Sequence, residues 1–246
     1  MGGGPVTRQS VWLADKERRR RSTQPTGLDR PRITSATVRL LDAEGLDKFS
    51  MRRLAAELNV TAMSVYWYVE TKDELLELAL DEVYGEVPLP PVTADWQTDV
   101  RQLATWYRTL LVRHPWASPL GGRYLNIGPH SLTFSRAIQQ AVRRTNLPPE
   151  DITGVIAAVF QFVYGFGTME AHFFAQTAES GLSPDAYYRQ SLDLFNASTD
   201  LAEMAEETKD LVEARGASTI VEMHNRDFTF ALDLLLAGVQ AMMDRH

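Results

Sequence analysis

The chain has 246 residues, of which 44% are hydrophobic and 23% are charged, enough for one or two domains with a core of their own. It contains no cysteine, which excludes disulfide scaffolds, thiolate metal sites and cysteine nucleophiles. No stretch reaches the roughly 20 apolar residues of a bilayer span and the N-terminus lacks an apolar signal core, so we expect a cytoplasmic protein without a membrane partner.

The net charge of −7 is distributed unevenly along the chain. Residues 1–72 carry 13 Lys and Arg against 8 Asp and Glu, whereas residues 73–246 carry 12 against 24. A basic first part joined to an acidic remainder is typical of a protein whose first domain meets a polyanion. Two ordinary solvated surfaces would give the same counts, so charge alone leaves both interpretations open.

Residues 1–32 are predicted to form a flexible basic arm. Gly2–Gly4, Pro25 and Pro31 break regular structure, and four consecutive arginines occupy Arg18–Arg21. The arginine run could contact the backbone or minor groove of DNA, or it could be a tail without a role.

Residues 33–84 are predicted to form a domain of four short helices. The helices are expected to begin near Ile33, Ser50, Thr61 and Thr71 and to end near Gly45, Leu58, Tyr68 and Tyr84. Thr71 and Glu74 have the spacing of a capping box at the start of the fourth helix.

The second and third of these helices have the spacing of a helix-turn-helix. Ala55 is small where the helices would cross, and Asn59 tolerates the left-handed backbone that a tight turn needs. Val60 and Val65 are expected to point back into a small core. Any short helical hairpin could show the same pattern, so this alternative stays open at this point.

The third helix has the dimensions of an element that reads DNA. Eight helical residues span about 12 Å, which is about the width of the major groove, and the N-terminal residues of such a helix face the base edges. The residues predicted to face bases are Thr61, Ala62, Met63 and Ser64, with Arg52 on the preceding helix as the candidate for a bidentate contact to guanine.

Phosphate contacts are predicted for Ser50, Thr61, Tyr66, Trp67 and Lys72. Neighbouring side chains on a helix diverge by about 100°, so Tyr66, Trp67 and Tyr68 cannot all face one core. We expect this aromatic run to look outward, towards a DNA backbone.

The remainder of the chain, residues 85–246, also has only helical patterns and no alternating strand pattern. Helices are predicted near 95–113, 118–125, 129–145, 149–178, 184–198, 200–214 and 217–244. The segment 149–178 is apolar nearly all round, so only partners on several sides could bury it.

The tract SVYWYVETKDELL, residues 64–76, resembles the recognition-helix signature of TetR-family transcriptional regulators, and residues 33–84 resemble their DNA-binding domain. The adjacent Tyr66 and Trp67 resemble the sequence found at this place in the tetracycline-repressor branch of the family. The resemblance implies an all-α homodimer that binds a palindromic operator, represses transcription and is released by a small-molecule effector. The positions that match the family's DNA-contacting residues are Ser50, Arg52, Ser64, Tyr66, Trp67, Tyr68 and Lys72.

The sequence departs from that branch at several positions. Ala62 and Met63 stand where the tetracycline repressor has Gln and Pro, so we expect a different operator. The stretch GGRYLNIG, residues 121–128, lacks the histidine with which that repressor ligates a magnesium-bound drug, so we do not expect magnesium-bound tetracycline as the effector. We also expect no metal site and no cofactor.

Residues 85–246 are predicted to bind the effector and to form the dimer. The resemblance implies that helices 149–178 and 217–244 pack against their mates as a four-helix bundle; a monomer whose core hides both helices is the alternative. Helix 72–84 is the expected lever, because it is attached to the helix-turn-helix core and continues towards the sensor. Aromatic side chains with a few polar groups among them are typical of ligand sites, although most aromatics at helical spacing are core. The predicted ligand residues are Trp106, Arg123, Asn126, Phe160, Tyr164 and His172.

An all-α enzyme is the main alternative from another class. Several features of the sequence count against this alternative. The five histidines of the chain are scattered, and the sequence contains no metal-ligand pair at i, i+4, no glycine-rich phosphate loop and no nucleophile elbow. A regulator that activates transcription, or that acts without an effector, also remains possible from the sequence.

Overall fold

The computed structural model describes residues 10–13, 28–86, 88–215 and 219–245. All regular structure in these residues is helical, which confirms the all-α prediction. The helices are α1 Arg30–Glu44, α2 Met51–Glu57, α3 Ala62–Tyr66, α4 Lys72–Gly85, α5 Trp96–Arg113, α6 Ala117–Gly121, α7 Pro129–Arg143, α8 Pro149–Ser180, α9 Pro184–Ala197, α10 Ala202–Glu207, α11 Lys209–Arg215 and α12 Ile220–Met243. The chain divides into two compact units, one up to Arg144 and one from Thr145 onward.

Helices α1 to α4 enclose a small apolar core in the first unit. Its innermost side chains, each at most 1% exposed, are Ile33, Leu41, Leu54, Val65, Leu75 and Leu76. Helix α1 begins earlier than predicted, because Asp29 accepts a hydrogen bond from the backbone N–H of Arg32 and Pro31 lies in the first turn. Proline suits that position, where its missing N–H leaves no helical hydrogen bond unmade.

A short piece of the predicted arm packs against this core. Val11 is only 6% exposed, and Ser10 Oγ and the backbone N–H of Val11 both donate to the buried carboxylate of Glu77 on α4. Residues 10–13 therefore differ from the expected free arm, because Val11 finds apolar surface and Glu77 needs donors inside the core. The arginine run Arg18–Arg21 lies outside the described residues.

Helices α5, α6 and α7 complete the first unit around α4. Tyr84 on α4 packs against Trp106, Tyr107 and Phe134, with ring centroids 5.7 to 6.3 Å away. Asp81 accepts hydrogen bonds from the backbone N–H and the hydroxyl of Ser131, at 2.9 and 2.8 Å, and so caps the N-terminus of α7 from a neighbouring helix.

In the second unit, α8 packs against α9 and α12. Phe162 on α8 stacks on Phe228 of α12 with the ring centroids 5.6 Å apart, and Phe166 meets the same ring edge-on at 5.3 Å. The helix predicted over 200–214 is interrupted: a 3-10 turn at Thr199–Leu201 leads into α10, and Thr208 separates α10 from α11.

Helix α8 is apolar along much of its length, as the sequence indicated. One 18-residue window has a mean hydropathy of 1.6, so by length and composition this helix could cross a membrane. A single helix of this kind is weak support for a membrane span, since the core helix of a water-soluble domain passes the same test.

Candidate functional site

The turn between α2 and α3 has the geometry that the sequence predicted. Asn59 adopts a left-handed backbone with φ of +55°, and the backbone N–H of Val60 donates to the carbonyl of Ala55 at 2.9 Å. Ser50 caps α2 by accepting from the N–H of Arg53, and Thr61 caps α3 by accepting from the N–H of Ser64, each at 3.2 Å. These bonds fix the angle at which α3 leaves the core.

One face of α3 is apolar, aromatic and open to solvent. Met63 is 68% exposed, Tyr66 43% and Trp67 77%, and residues three and four apart lie side by side on a helix. Arg52 on α2 is also exposed and has no ion-pair partner among the described residues, whereas its neighbour Arg53 is held by Glu44 and Glu57. The helix-turn-helix therefore presents an exposed cation on α2 and an exposed apolar and aromatic face on α3.

Some of the other residues predicted to contact DNA make contacts within the protein itself. Tyr68 is half-buried and packs against the core, which differs from the outward direction expected for the whole aromatic run. Lys72 Nζ donates to the carbonyl of Phe49 at 2.8 Å and lies 5.3 Å from the centre of its ring. Ser50 and Thr61 are exposed, while Ala62 and Ser64 are half-buried.

The six predicted ligand residues divide between the two units. Arg123 and Asn126 lie after α6, where Arg123 pairs with Asp73 at 3.0 Å and Asn126 Nδ2 donates to the carbonyl of Gly121 at 2.6 Å. Phe160, Tyr164 and His172 lie on α8; Phe160 is half-buried and the other two are exposed. Only Trp106 among the six lines the cavity described next.

A cavity of about 450 Å³ lies in the first unit, between the end of α4, the residues that follow it and one face of α5. Its lining consists of Val83, Glu86, Pro88, Pro90, Arg101, Gln102, Thr105, Trp106, Thr109, Leu110, Arg113 and His114. Gln102 Oε1 is buried and accepts no hydrogen bond within the described part of the chain. Sequence reasoning missed this cavity, because the helical pattern does not give the angle at which α4, α5 and the residues between them meet.

His114 connects the cavity wall to α1. Its ring is 2% exposed, with Nδ1 2.7 Å from Asp42 Oδ1 and Nε2 3.1 Å from Glu86 Oε2. Trp116 Nε1 donates to the same oxygen of Asp42 at 2.6 Å. Burial opposes the charge on the ring, but the hydrogen bonds and charges of Asp42 and Glu86 outweigh burial, so the pKa of His114 is raised.

The second unit contains a similar pair that the sequence did not predict. Glu170 on α8 is 6% exposed and lies 3.2 Å from Nδ1 of His224 on α12, beside the rings of Phe166 and Phe173. His172, two residues from Glu170, points to solvent instead, as two residues that far apart on a helix diverge. Across the described ranges no three His, Asp or Glu side chains are placed to hold a metal ion.

Two family sequence models match this chain. "Bacterial regulatory proteins, tetR family" matches residues 33–79, and "Tetracyclin repressor-like, C-terminal domain" matches residues 88–243.

Curated relatives and solved structures agree with these matches. An HTH-type transcriptional regulator of Saccharopolyspora erythraea is 37% identical over 163 residues, which cover 66% of this chain and 68% of the relative. The HTH-type transcriptional repressor DrrR1 of Streptomyces coeruleorubidus is 31% identical over 198 residues, 78% of this chain and 72% of that protein. The TetR family protein ActR of Streptomyces coelicolor, in complex with actinorhodin, superposes with a TM-score of 0.66 at 26% identity, covering 89% of this chain and 99% of that one.

Proposed function

The chain belongs to the TetR family of bacterial regulatory proteins, and from this premise we propose that it represses transcription by binding a palindromic operator as a homodimer. Its families and relatives are DNA-binding regulators of transcription and not enzymes, so the enzyme alternative is set aside. The observation that carries the proposal is the exposed face of Met63, Tyr66 and Trp67, together with the exposed Arg52, on a helix-turn-helix whose turn and caps are formed. The repressor DrrR1 among the relatives favours repression over activation.

The base-reading part of this surface is modest. Thr61, Ala62, Met63 and Ser64 carry two hydroxyls and no charge, so the specificity we propose rests on Arg52 and on apolar contacts to thymine methyl groups. Tyr66, Trp67 and Lys72 would contact phosphates, which set the register of the protein on DNA. We keep Ser50 and Tyr68 in the proposed interface, with Tyr68 contributing through its outer edge only.

We propose that a small-molecule effector releases the protein from DNA. The ligand-bound structure of ActR with actinorhodin supports an effector in this family, and the cavity beside α5 offers space for one. Of the residues predicted to bind it, Trp106 keeps that role; the pairing of Arg123 with Asp73 gives this arginine a structural task instead. Cytoplasmic localisation follows from a role on chromosomal DNA.

The proposed division of labour places DNA binding in residues 33–84 and sensing and dimerisation in residues 85–246. Helix α4 is the proposed lever, because it carries contacts to both parts within the first unit. Its N-terminal residue Lys72 is tied to Phe49 in the head, and its Asp81 caps α7 in the sensor. An effector that moved α4 would therefore displace the segment at Phe49, which leads into α2 of the helix-turn-helix.

Footprinting of the purified protein on the DNA upstream of its own gene tests the proposal. We expect a protected stretch with two-fold symmetry, lost in Arg52→Ala and retained in Arg53→Ala, since Arg53 is already engaged by Glu44 and Glu57. Protection without symmetry would contradict the homodimer, and equal protection by both variants would remove Arg52 from the reading surface.

A further inference from the structure

The cavity in the first unit has the size and the wall of a small-molecule site. Its volume of about 450 Å³ lies within the range of known ligand pockets, and its accessible wall is mainly apolar. Trp106 presents an aromatic ring to it, and Val83, Pro88 and Leu110 supply aliphatic surface. Such a wall favours a ligand with a flat, apolar ring system.

The cavity wall has few polar groups, and among these the positive charges outnumber the negative ones. Arg101 and Arg113 supply two cations against the single carboxylate of Glu86. Arg113 is 61% exposed and only 3.4 Å from Glu86, a weak ion pair from which the guanidinium can be drawn to another anion. The buried Oε1 of Gln102 still lacks a donor, which a ligand hydroxyl would provide.

We propose that this cavity binds an aromatic molecule with one anionic group and one hydroxyl donor, and that His114 transmits its presence to α1 through Asp42. The proposal rests on the proposed function only where it identifies this molecule with the effector that lowers DNA affinity. The ring of the ligand would lie against Trp106, its anion against Arg113 and its hydroxyl against Gln102.

The route to α1 follows from the two contacts of His114. Both ring nitrogens face carboxylates, so the protonated ring donates one hydrogen bond to Asp42 and one to Glu86. A ligand anion that takes Arg113 leaves Glu86 with one cationic partner fewer and alters its hold on His114. Because His114 and Trp116 share one oxygen of Asp42, a shift of the ring reaches the C-terminal half of α1.

A displacement of α1 can be passed on to the DNA-binding domain through α4. It packs more extensively against α4 than against any other helix in the described chain, and Glu74 on α4 pairs with Arg30 at its start. A movement of α1 therefore reaches the support of the helix-turn-helix without any contact between ligand and DNA.

Three naphthalene probes test the ligand class on the full-length protein by fluorescence titration, with no DNA present. We expect 6-hydroxy-2-naphthoate to bind about tenfold more tightly than 2-naphthoate, which lacks the donor, and than 2-naphthol, which lacks the anion. Gln102→Leu should erase the first preference and Arg113→Gln the second. Thr105→Trp and Thr109→Phe, which fill the cavity, should each abolish binding; wild-type affinity in both folded variants, or equal binding of all three probes, would overturn the site.

Hydrogen exchange measured by mass spectrometry tests the route. Saturation with 6-hydroxy-2-naphthoate should change the exchange of peptides from residues 30–44 in the wild type but not in Asp42→Asn, although the variant binds the probe with similar affinity. An equal change in both proteins would overturn the role of His114 and Asp42. Since neither experiment contains DNA, a failed footprint would count against the proposed operator and leave these outcomes interpretable.

Discussion

The three adjacent aromatic residues Tyr66, Trp67 and Tyr68 differ in their exposure to solvent. Trp67 is 77% exposed and Tyr66 43%, whereas Tyr68 is half-buried against the core. The divergence by about 100° per residue explains the division: a helix that buries Val65 and Val69 must turn the positions between them away. The exposed pair is the unusual feature, because a large aromatic surface in water is stabilised when something covers it.

Replacing Tyr66 with Ala should weaken binding to operator and to random DNA by a similar factor, about tenfold, because one hydrogen bond to a charged phosphate is lost. Fluorescence anisotropy with two labelled duplexes at low salt measures both affinities. Tyr66→Phe, which removes only the hydroxyl, is the matched control and should reproduce most of the loss. Unchanged affinity in Tyr66→Ala at low salt would exclude the contact.

The buried ring of His114 makes the stability of the first unit depend on pH. Its pKa is raised in the folded chain, so the charged ring stabilises the fold fully below about pH 6.5, the value for an unfolded chain. That stabilisation is lost as the pH rises through the folded pKa. We expect the free energy of unfolding, measured by urea titration with tryptophan fluorescence, to fall as the pH is raised above about 6.5.

Asp42→Asn provides the control for this pH dependence. It keeps the shape of the side chain but removes the charge that raises the pKa most, so burial should then dominate and the fall should shrink or reverse. The same fall in both proteins would assign the pH dependence to other groups.

At the scale of elements, α4 is held by carboxylates that point to different neighbours. Glu74 pairs with Arg30, Glu77 accepts from Ser10 and Glu82 accepts from Ser35, all on the side of α1 and the N-terminal segment. Asp81 alone points to α7. This distribution fits a helix that joins two parts of one unit and transmits a displacement between them.

The cap that Asp81 provides for α7 can be tested by a double-mutant cycle with Gly128. Asp81→Ala should destabilise the first unit by about 1–2 kcal/mol, because α7 has no side-chain cap of its own. Gly128→Ala should also destabilise, since its Cβ would lie 2.2 Å from the carboxylate of Asp81. In the double variant the clash is gone, so the loss measured by urea unfolding should be smaller than the sum.

Additive losses in that cycle would contradict the close approach of Asp81 to Gly128. Asp81→Asn offers a second comparison, since an amide oxygen can still accept from the N–H of Ser131. It should therefore cost less stability than Asp81→Ala.

The elements were predictable where the signal is local in sequence. The turn at Asn59 and the small core around Ala55 and Val65 follow from spacings of a few residues, and the structure has them where the pattern placed them. The start of α1 was missed because Pro31 suggests a break and is in fact compatible with a first turn.

The cavity and the partners of the charged residues were not predictable from local spacing. The cavity depends on how α4 and α5 are placed against each other, and the charged pairs join distant parts of the chain. Arg123 meets Asp73 fifty residues away, and Lys72 finds the carbonyl of Phe49 twenty-three residues away. A composition of aromatic and polar residues indicates that a pocket can form. It does not decide which faces of which helices enclose it, and so five of the six predicted ligand residues lie outside the cavity.

At the scale of the whole molecule, the uneven charge predicts that binding to DNA depends steeply on salt. Each phosphate contact contributes roughly one unit to the slope of log affinity against log salt. Replacing Arg18–Arg21 with Gln should flatten this slope if the run contacts DNA. Substitution is preferable to deletion of residues 1–28, because deletion also removes Ser10 and Val11, which are bonded to Glu77. An unaltered slope would leave the run without a role in binding.

Exposed apolar residues on α8 and α12 are the strongest indication that the molecule works as a homodimer. Phe230 and Leu234 on α12 are 71% and 66% exposed and lie one helical turn apart, and Met169 on α8 is 70% exposed. Because both side chains are exposed, the double variant Phe230→Lys, Leu234→Lys should have little effect on the stability of a single chain. We expect this variant to be monomeric, with a mass of 27.7 kDa by light scattering, while the wild type has twice that mass.

Leu194→Lys is the matched control for the dimer, because Leu194 is 69% exposed but lies on α9. It should leave both the mass and the operator affinity unchanged, whereas the monomeric variant should lose most of its affinity, since one head reaches only one half-site. A double variant that stays dimeric would place the interface on another face. A monomer that binds the operator as tightly as the wild type would separate dimerisation from DNA recognition altogether, and the two-fold symmetry of the footprint would then need a different cause.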